Sequence, residues 1–267
     1  MSRGGWLAAA ILCASALRAE EQCVLGAPCY TQAGIVNAAS YEPGAIGPNT
    51  IVSIFGTNLS FVTAAVSPED LASGKMPVEL SRTGVRVLAD GLHCYIYYVS
   101  PPQVNLLIPS NLTPTNVKLQ LVRDGTAGPP IKLMLRDAAP GLFLLDATTA
   151  IATRADFTLI TRDTPARPGE IVILWATGLG ATVPPMEAGQ IPAEAVWIAR
   201  RSDFRVELAG EAVPRENLLY AGVAPGFAGL YQINLRLPKS LRADPEIRIA
   251  VGEAISPAGF HLPVRAE

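Results

Sequence analysis

The sequence predicts an all-β protein: two tandem β-sandwich domains related by internal duplication. Three observations predict it. Short runs rich in Val, Ile and aromatic residues alternate with Gly, Pro, Asn and Asp turns. No window carries a long 3.6-residue apolar period; the best helical stretch, 193–200, is short. Two blocks recur far apart. Residues 48–59 align with 168–179, an offset of 120, and the Gln103 block aligns with the Gln232 block, an offset of 129. Offsets that long belong to a duplicated domain, not to a solenoid unit.

Candidate strands in the first copy are 51–55, 85–89, 93–98, 104–108, 117–122 and 131–135. In the second they are 171–175, 204–208, 230–237, 247–251 and 260–264. Their spacing fits a sandwich. The boundary falls near Ala139-Pro140-Gly141, giving a leader at 1–19 and domains at 20–139 and 140–267. Gln103 and Asn105 are two apart on a strand, so they share a face, and Gln232 and Asn234 do the same. Their amides are expected to hold loop backbone rather than a ligand. Trp175 reads as a core residue.

Arg3 and the apolar run 6–14, followed by Ala14-Ser15-Ala16, form an export signal; Ala19 is a second cleavage candidate. No later run is long and apolar enough to span a membrane. A net charge of −2 offers no field for nucleic acid. Export removes Cys13 and leaves Cys23, Cys29 and Cys94 in an oxidising compartment. Cys23 and Cys29 flank a short Gly-Pro segment, where a disulfide would close a small loop. Cys94 reads as a buried apolar residue. Three cysteines and two histidines in this arrangement suggest no metal site, and no cofactor motif is present.

The blocks also carry a family likeness. Ile35-Val36-Asn37-Ala38-Ala39-Ser40, Phe55-Gly56-Thr57-Asn58-Leu59, Tyr98-Val99-Ser100-Pro101-Pro102-Gln103-Val104-Asn105 and Ala139-Pro140-Gly141-Leu142-Phe143 occur in this order. Ala176-Thr177-Gly178-Leu179-Gly180 and the run from Tyr220 to Asn234 follow them. The set resembles the Solibacter uncharacterised C-terminal domain, a module of exported bacterial proteins. Residues 51–59 alone resemble the opening of immunoglobulin-like IPT/TIG domains. These resemblances imply immunoglobulin-like sandwiches and residence in the periplasm, on the cell surface or outside the cell. They imply no reaction.

Catalytic patterns are sparse. There is no Gly-x-Ser-x-Gly elbow, and His93 and Cys94 are strand neighbours that point to opposite faces. Gly178-Leu179-Gly180 lacks a following helix to cradle phosphate. Carboxylates for a carbohydrate-active hydrolase would come from loops, as Glu69 with Asp70 or Glu187 with Glu194. Two loops, 60–84 and 180–203, follow equivalent turns and exceed the length of ordinary connections. The second carries Trp197, Arg200 and Arg201, residues able to stack on a sugar or grip an anion. The expectation is a non-enzymatic interaction or structural module whose partner is an envelope protein or a glycan.

Overall fold

A computed structural model describes residues 23–113 and 115–265; the expected leader lies outside the described residues. The first half contains β1 (Cys29–Asn37), β2 (Ile51–Thr57), β3 (Ala64–Ala65), β4 (Val85–Ala89) and β5 (Leu92–His93). It continues with β6 (Tyr95–Ser100), β7 (Gln103–Leu107), β8 (Asn116–Arg123), β9 (Thr126–Ala127) and β10 (Ile131–Met134). The second half contains β11 (Gly141–Leu142), β12 (Ala152–Thr153), β13 (Ile171–Thr177), β14 (Thr182–Val183), β15 (Val196–Ile198) and β16 (Phe204–Leu208). It ends with β17 (Glu211–Ala212), β18 (Leu218–Val223), β19 (Tyr231–Arg236), β20 (Ile247–Val251) and β21 (Ala254–Ile255).

Every pairing between these strands is antiparallel. In the first half one sheet runs β1-β2-β7-β6-β3 and the other β10-β8-β4-β5, with β9 on β8. This is the immunoglobulin arrangement, strands A-B-E-D facing G-F-C. The second half repeats the order. Its larger sheet runs β11-β13-β19-β18-β15-β14, with β12 also on β13, and its smaller sheet runs β17-β16-β20-β21.

Alternation explains the sandwiches. Along β8, Val117, Leu119 and Leu121 are buried while Asn116 and Lys118 face water. These side chains meet Val52, Ile54, Val104 and Leu106 of the opposite sheet in one core. Val172, Leu174, Ile233, Leu235, Val206 and Ile249 make the second core in the same way. Each such aliphatic side chain contributes roughly 1.5–3 kcal/mol on full burial.

Three expectations are corrected. The 193–200 stretch, the best helical candidate, is extended instead: its centre is β15, with Ile198 buried in the core and Trp197 turned outward. The 260–264 segment forms single bridges at His261 and Val264 rather than a strand. Strand β1 was missing from the expected set, because its middle, Thr31 to Ala33, is exposed and breaks the apolar alternation.

Cys23 and Cys29 are disulfide-bonded. The closed loop sits at the end of the first sandwich remote from the second, where buried Arg123 donates to the Gly26 and Asn58 carbonyls and lies over Phe61. A loop this short stabilises by about 2 kcal/mol on chain-entropy grounds. Reduction should therefore cost no more than about 2 kcal/mol and leave the strand content intact, as circular dichroism with and without reductant would read. Cys94 is free and fully buried, and desolvation pushes its thiol pKa up. It should resist thiol reagents at neutral pH until the first sandwich unfolds; labelling of the native protein would contradict this placement.

The two long loops meet. The Met76 N–H donates to the Gly189 carbonyl at 2.9 Å and the Ile191 N–H to the Gly74 carbonyl at 2.9 Å. These bonds make an antiparallel bridge between Lys75 and Gln190, with a Lys75–Glu187 ion pair beside it. Beneath them Met76, Leu107 and Ala228 form a small apolar cluster with Tyr95 and Tyr97, and the Tyr97 hydroxyl donates to the Ala228 carbonyl. The tyrosine pair is thus packed between the halves. Nearby, the Ile51 N–H donates to Thr177 Oγ1 at 2.9 Å, and the Asn37 amide donates to the Ala139 carbonyl at 3.0 Å.

Candidate functional site

Because the loop segments 74–76 and 187–191 are engaged with each other, the candidate surface lies elsewhere, on the outer face of the second sandwich's larger sheet. Strand register assembles it. Trp175 of β13 is opposite Gln232 of β19, Gln232 is opposite Gly222 of β18, and Gly222 is opposite Trp197 of β15. Register partners share a face, so both tryptophans stand on the outside, about 14 Å apart over three strand spacings. Trp175 is therefore not a core residue. It is half-buried, with its indole N–H donating to Thr153 Oγ1 at 3.2 Å and its ring 6.3 Å from that of Phe157.

Gly222 makes room for the aromatic next to it. A Cβ there would lie 2.2 Å from the Val196 carbonyl and 2.3 Å from the Tyr220 hydroxyl. The Tyr220 ring folds across this gap, and its hydroxyl lies within hydrogen-bonding distance of the Val196 and Val223 carbonyls, at 3.1 and 2.9 Å. Burial pushes the Tyr220 pKa up to about 12, so it stays a neutral donor at physiological pH. Trp197 packs edge-on against this ring at 4.7 Å and remains 37% exposed.

Beside the pair is a groove of about 480 Å³, walled by Trp197, Tyr220, Leu218, Phe204, Arg201 and Arg215 among others. The Arg201 guanidinium lies 4.7 Å over the Trp197 ring. Arg215 donates to the Ser202 and Arg201 carbonyls at 3.1 Å, which fixes the rim. Neither arginine forms an ion pair among the described residues, and no carboxylate lines the groove. Arg200 is placed differently: it donates to Asp203 at 3.0 and 2.8 Å and reaches Asp137 of the linker at 3.7 Å. It ties the junction rather than lining the groove.

Three of the loop carboxylates, Asp70, Glu187 and Glu69, are engaged by neighbouring groups. Asp70 accepts from the Ser67 N–H and hydroxyl, both at 2.9 Å. Glu187 is held below the usual carboxylate range by the hydrogen bond and charge of Lys75. Glu69 is held low by backbone and Ser67 hydrogen bonds. A glycosidase acid needs the opposite shift. No group of three or more His, Cys, Asp or Glu able to hold a metal occurs among the described residues, and no helix there is long and apolar enough to cross a membrane.

The Gln–Asn pairs bond each other, not a loop backbone. Gln103 Nε2 donates to Asn105 Oδ1 at 2.8 Å, and Gln232 Nε2 to Asn234 Oδ1 at 2.8 Å.

No family model matches the chain, and no curated protein matches it. Among solved structures, the chain is similar to SGBP-B of the Bacteroides ovatus mixed-linkage glucan utilization locus, solved with a mixed-linkage heptasaccharide. The TM-score is 0.35 and the identity 11%, over 90% of this chain and 46% of that one. It is also similar to domains 5-6 of the S-layer protein SbsC, with TM-score 0.27 and identity 8% over 90% and 99% of the two chains. The tandem Ig repeats of Dlar give TM-score 0.22 and identity 10% over 90% and 96%. The chain spans less than half of the first of these.

Proposed function

We propose that the protein is a non-enzymatic, exported interaction module that holds a glycan on the outer sheet face around Trp197. One observation carries the reading: an exposed tryptophan shares a groove with two arginines that form no ion pair among the described residues, and no carboxylate lines it. An indole face stacks on the C–H face of a pyranose, and a guanidinium grips hydroxyl or carboxylate oxygens. The positive rim favours an acidic saccharide. The export signal and the Cys23–Cys29 bond support work in an oxidising compartment. The repeated strand order supports an origin of residues 20–139 and 140–267 by duplication.

The test is electrophoresis of residues 20–267 through gels containing soluble polysaccharides, neutral and uronate-rich. Retention by at least one gel, lost in Trp197→Ala and weakened in Arg201→Ala, is expected. Retention unchanged in Trp197→Ala would place binding elsewhere, and capture of an envelope protein without any retention would replace glycan by protein as the partner.

A further inference from the structure

We propose that each sandwich carries its own saccharide subsite, so that the first sandwich binds a neutral pyranose through Tyr41, Phe55, Gln103 and Asn105. The proposal rests on the reading of glycan as ligand, but on different residues. The same constellation occurs at equivalent places in the two halves. In the first, Phe55 of β2 is opposite Gln103 of β7, and Asn105 is opposite Ser53. In the second, Trp175 of β13 is opposite Gln232 of β19, and Asn234 is opposite Ile173. Each strand aromatic is joined by one from the connection just before its strand. Tyr41 lies 6.4 Å from Phe55 with an interplanar angle of 36°, and Phe157 lies 6.3 Å from Trp175 at 31°.

Simple packing would bury such a pair and satisfy the amides. Neither happens. Tyr41 is 56% exposed and Phe157 64%. In the first sandwich Asn105 Oδ1 accepts from both Gln103 Nε2 and Ser53 Oγ, at 2.8 and 2.9 Å. Gln103 Oε1 and Asn105 Nδ2 then have no partner among the described residues, and neither is among the buried unpaired atoms, so both face solvent. Gln232 Oε1 and Asn234 Nδ2 are open in the same way. Each amide pair thus leaves one acceptor and one donor beside an aromatic surface. That is the complement of a pyranose edge, where one hydroxyl donates and its neighbour accepts while the C–H face lies on the ring.

The two subsites differ in length and charge. Beyond β18 the second sheet adds β15 with Trp197, whereas beyond β6 the first adds only Ala64 and Ala65 of β3. The first subsite therefore takes a shorter stretch of sugar and lacks the arginine rim.

Calorimetric titration of residues 20–267 with cellohexaose, laminarihexaose, mannohexaose and hexagalacturonate, singly and in pairs, tests this. The expected result is two binding sites per chain. Tyr41→Ala and Gln103→Ala should each weaken one site at least ten-fold and leave the other, and Trp197→Ala should do the reverse; near-UV circular dichroism checks that the variants remain folded. A single site, lost in Trp197→Ala and untouched in Tyr41→Ala and Gln103→Ala, would overturn the first-sandwich subsite while leaving the groove. Two sites both indifferent to Tyr41→Ala and Gln103→Ala would also overturn it. No binding of any of these oligosaccharides would remove both readings.

Discussion

Replacing Trp197 by Ala is expected to weaken glycan binding by ten-fold or more, about 1.4 kcal/mol per decade, while barely unfolding the protein. Exposed aromatic anchors dominate binding surfaces because they bury much area with few rotors to freeze. At 37% exposure Trp197 leaves no core cavity when truncated; it gives up an edge contact with Tyr220 and the cation–π contact with Arg201. Those contacts together stabilise the fold by about 1 kcal/mol, or some 2–4 °C in Tm for a chain of this size. Affinity electrophoresis and scanning calorimetry on the same sample separate the two effects. A large fall in Tm would mean that Trp197 is a packing residue whose loss of binding is indirect.

Gly178→Val is expected to destabilise the protein by about 3 kcal/mol or more, through strain and clash together. Gly178 has φ of +77°, and a Cβ would lie 2.0 Å from the Ala139 carbonyl oxygen and 3.2 Å from Thr50 Oγ1. The two backbones are already joined there, since the Ala139 N–H donates to the Gly178 carbonyl at 2.8 Å. Thr177 next to it accepts from the Ile51 N–H and donates to the Gly229 carbonyl. The valine would have to separate the sandwiches at their linker. Gly210 is the control: its φ is +83°, but a Cβ there meets nothing within 4 Å. Gly210→Val should cost only the left-handed backbone strain, about 1–2 kcal/mol. Urea unfolding of both variants gives the difference, and equal losses would show that the junction at Gly178 yields easily.

Much of the fold was readable because sandwich strands advertise themselves. Alternation over 117–122 and 247–251 and the long-offset repeat of the Gln-x-Asn blocks needed no tertiary information. The failures share a cause. Whether Trp175 faces in or out depends on which side of β13 is covered, and the covering residues come from β16 and β20, far along the chain. The 193–200 stretch resembles a helix turn by composition, yet pairing of β15 with β14 and β18 decides its state. Tertiary context overrides local propensity in this way. The length of the two loops set them apart from ordinary connections. Their mutual bridge at Lys75 and Gln190 joins residues too distant in sequence for any local pattern to link. Trp197 and Arg201 were picked out by residue type alone. The register that sets Trp197 in one row with Gln232 and Trp175 was not, because a two-residue period says which residues share a strand face but not which strands are neighbours.

Within residues 20–267, Trp175 and Trp197 are the tryptophans, and their indole N–H signals in a 15N-labelled sample report on the two ends of the aromatic row. Titration with a retained oligosaccharide should move the Trp197 signal, assigned by its absence in Trp197→Phe, saturably and with the same Kd as calorimetry. Saturable binding that leaves both indole signals in place would contradict the account of this sheet face as the glycan site.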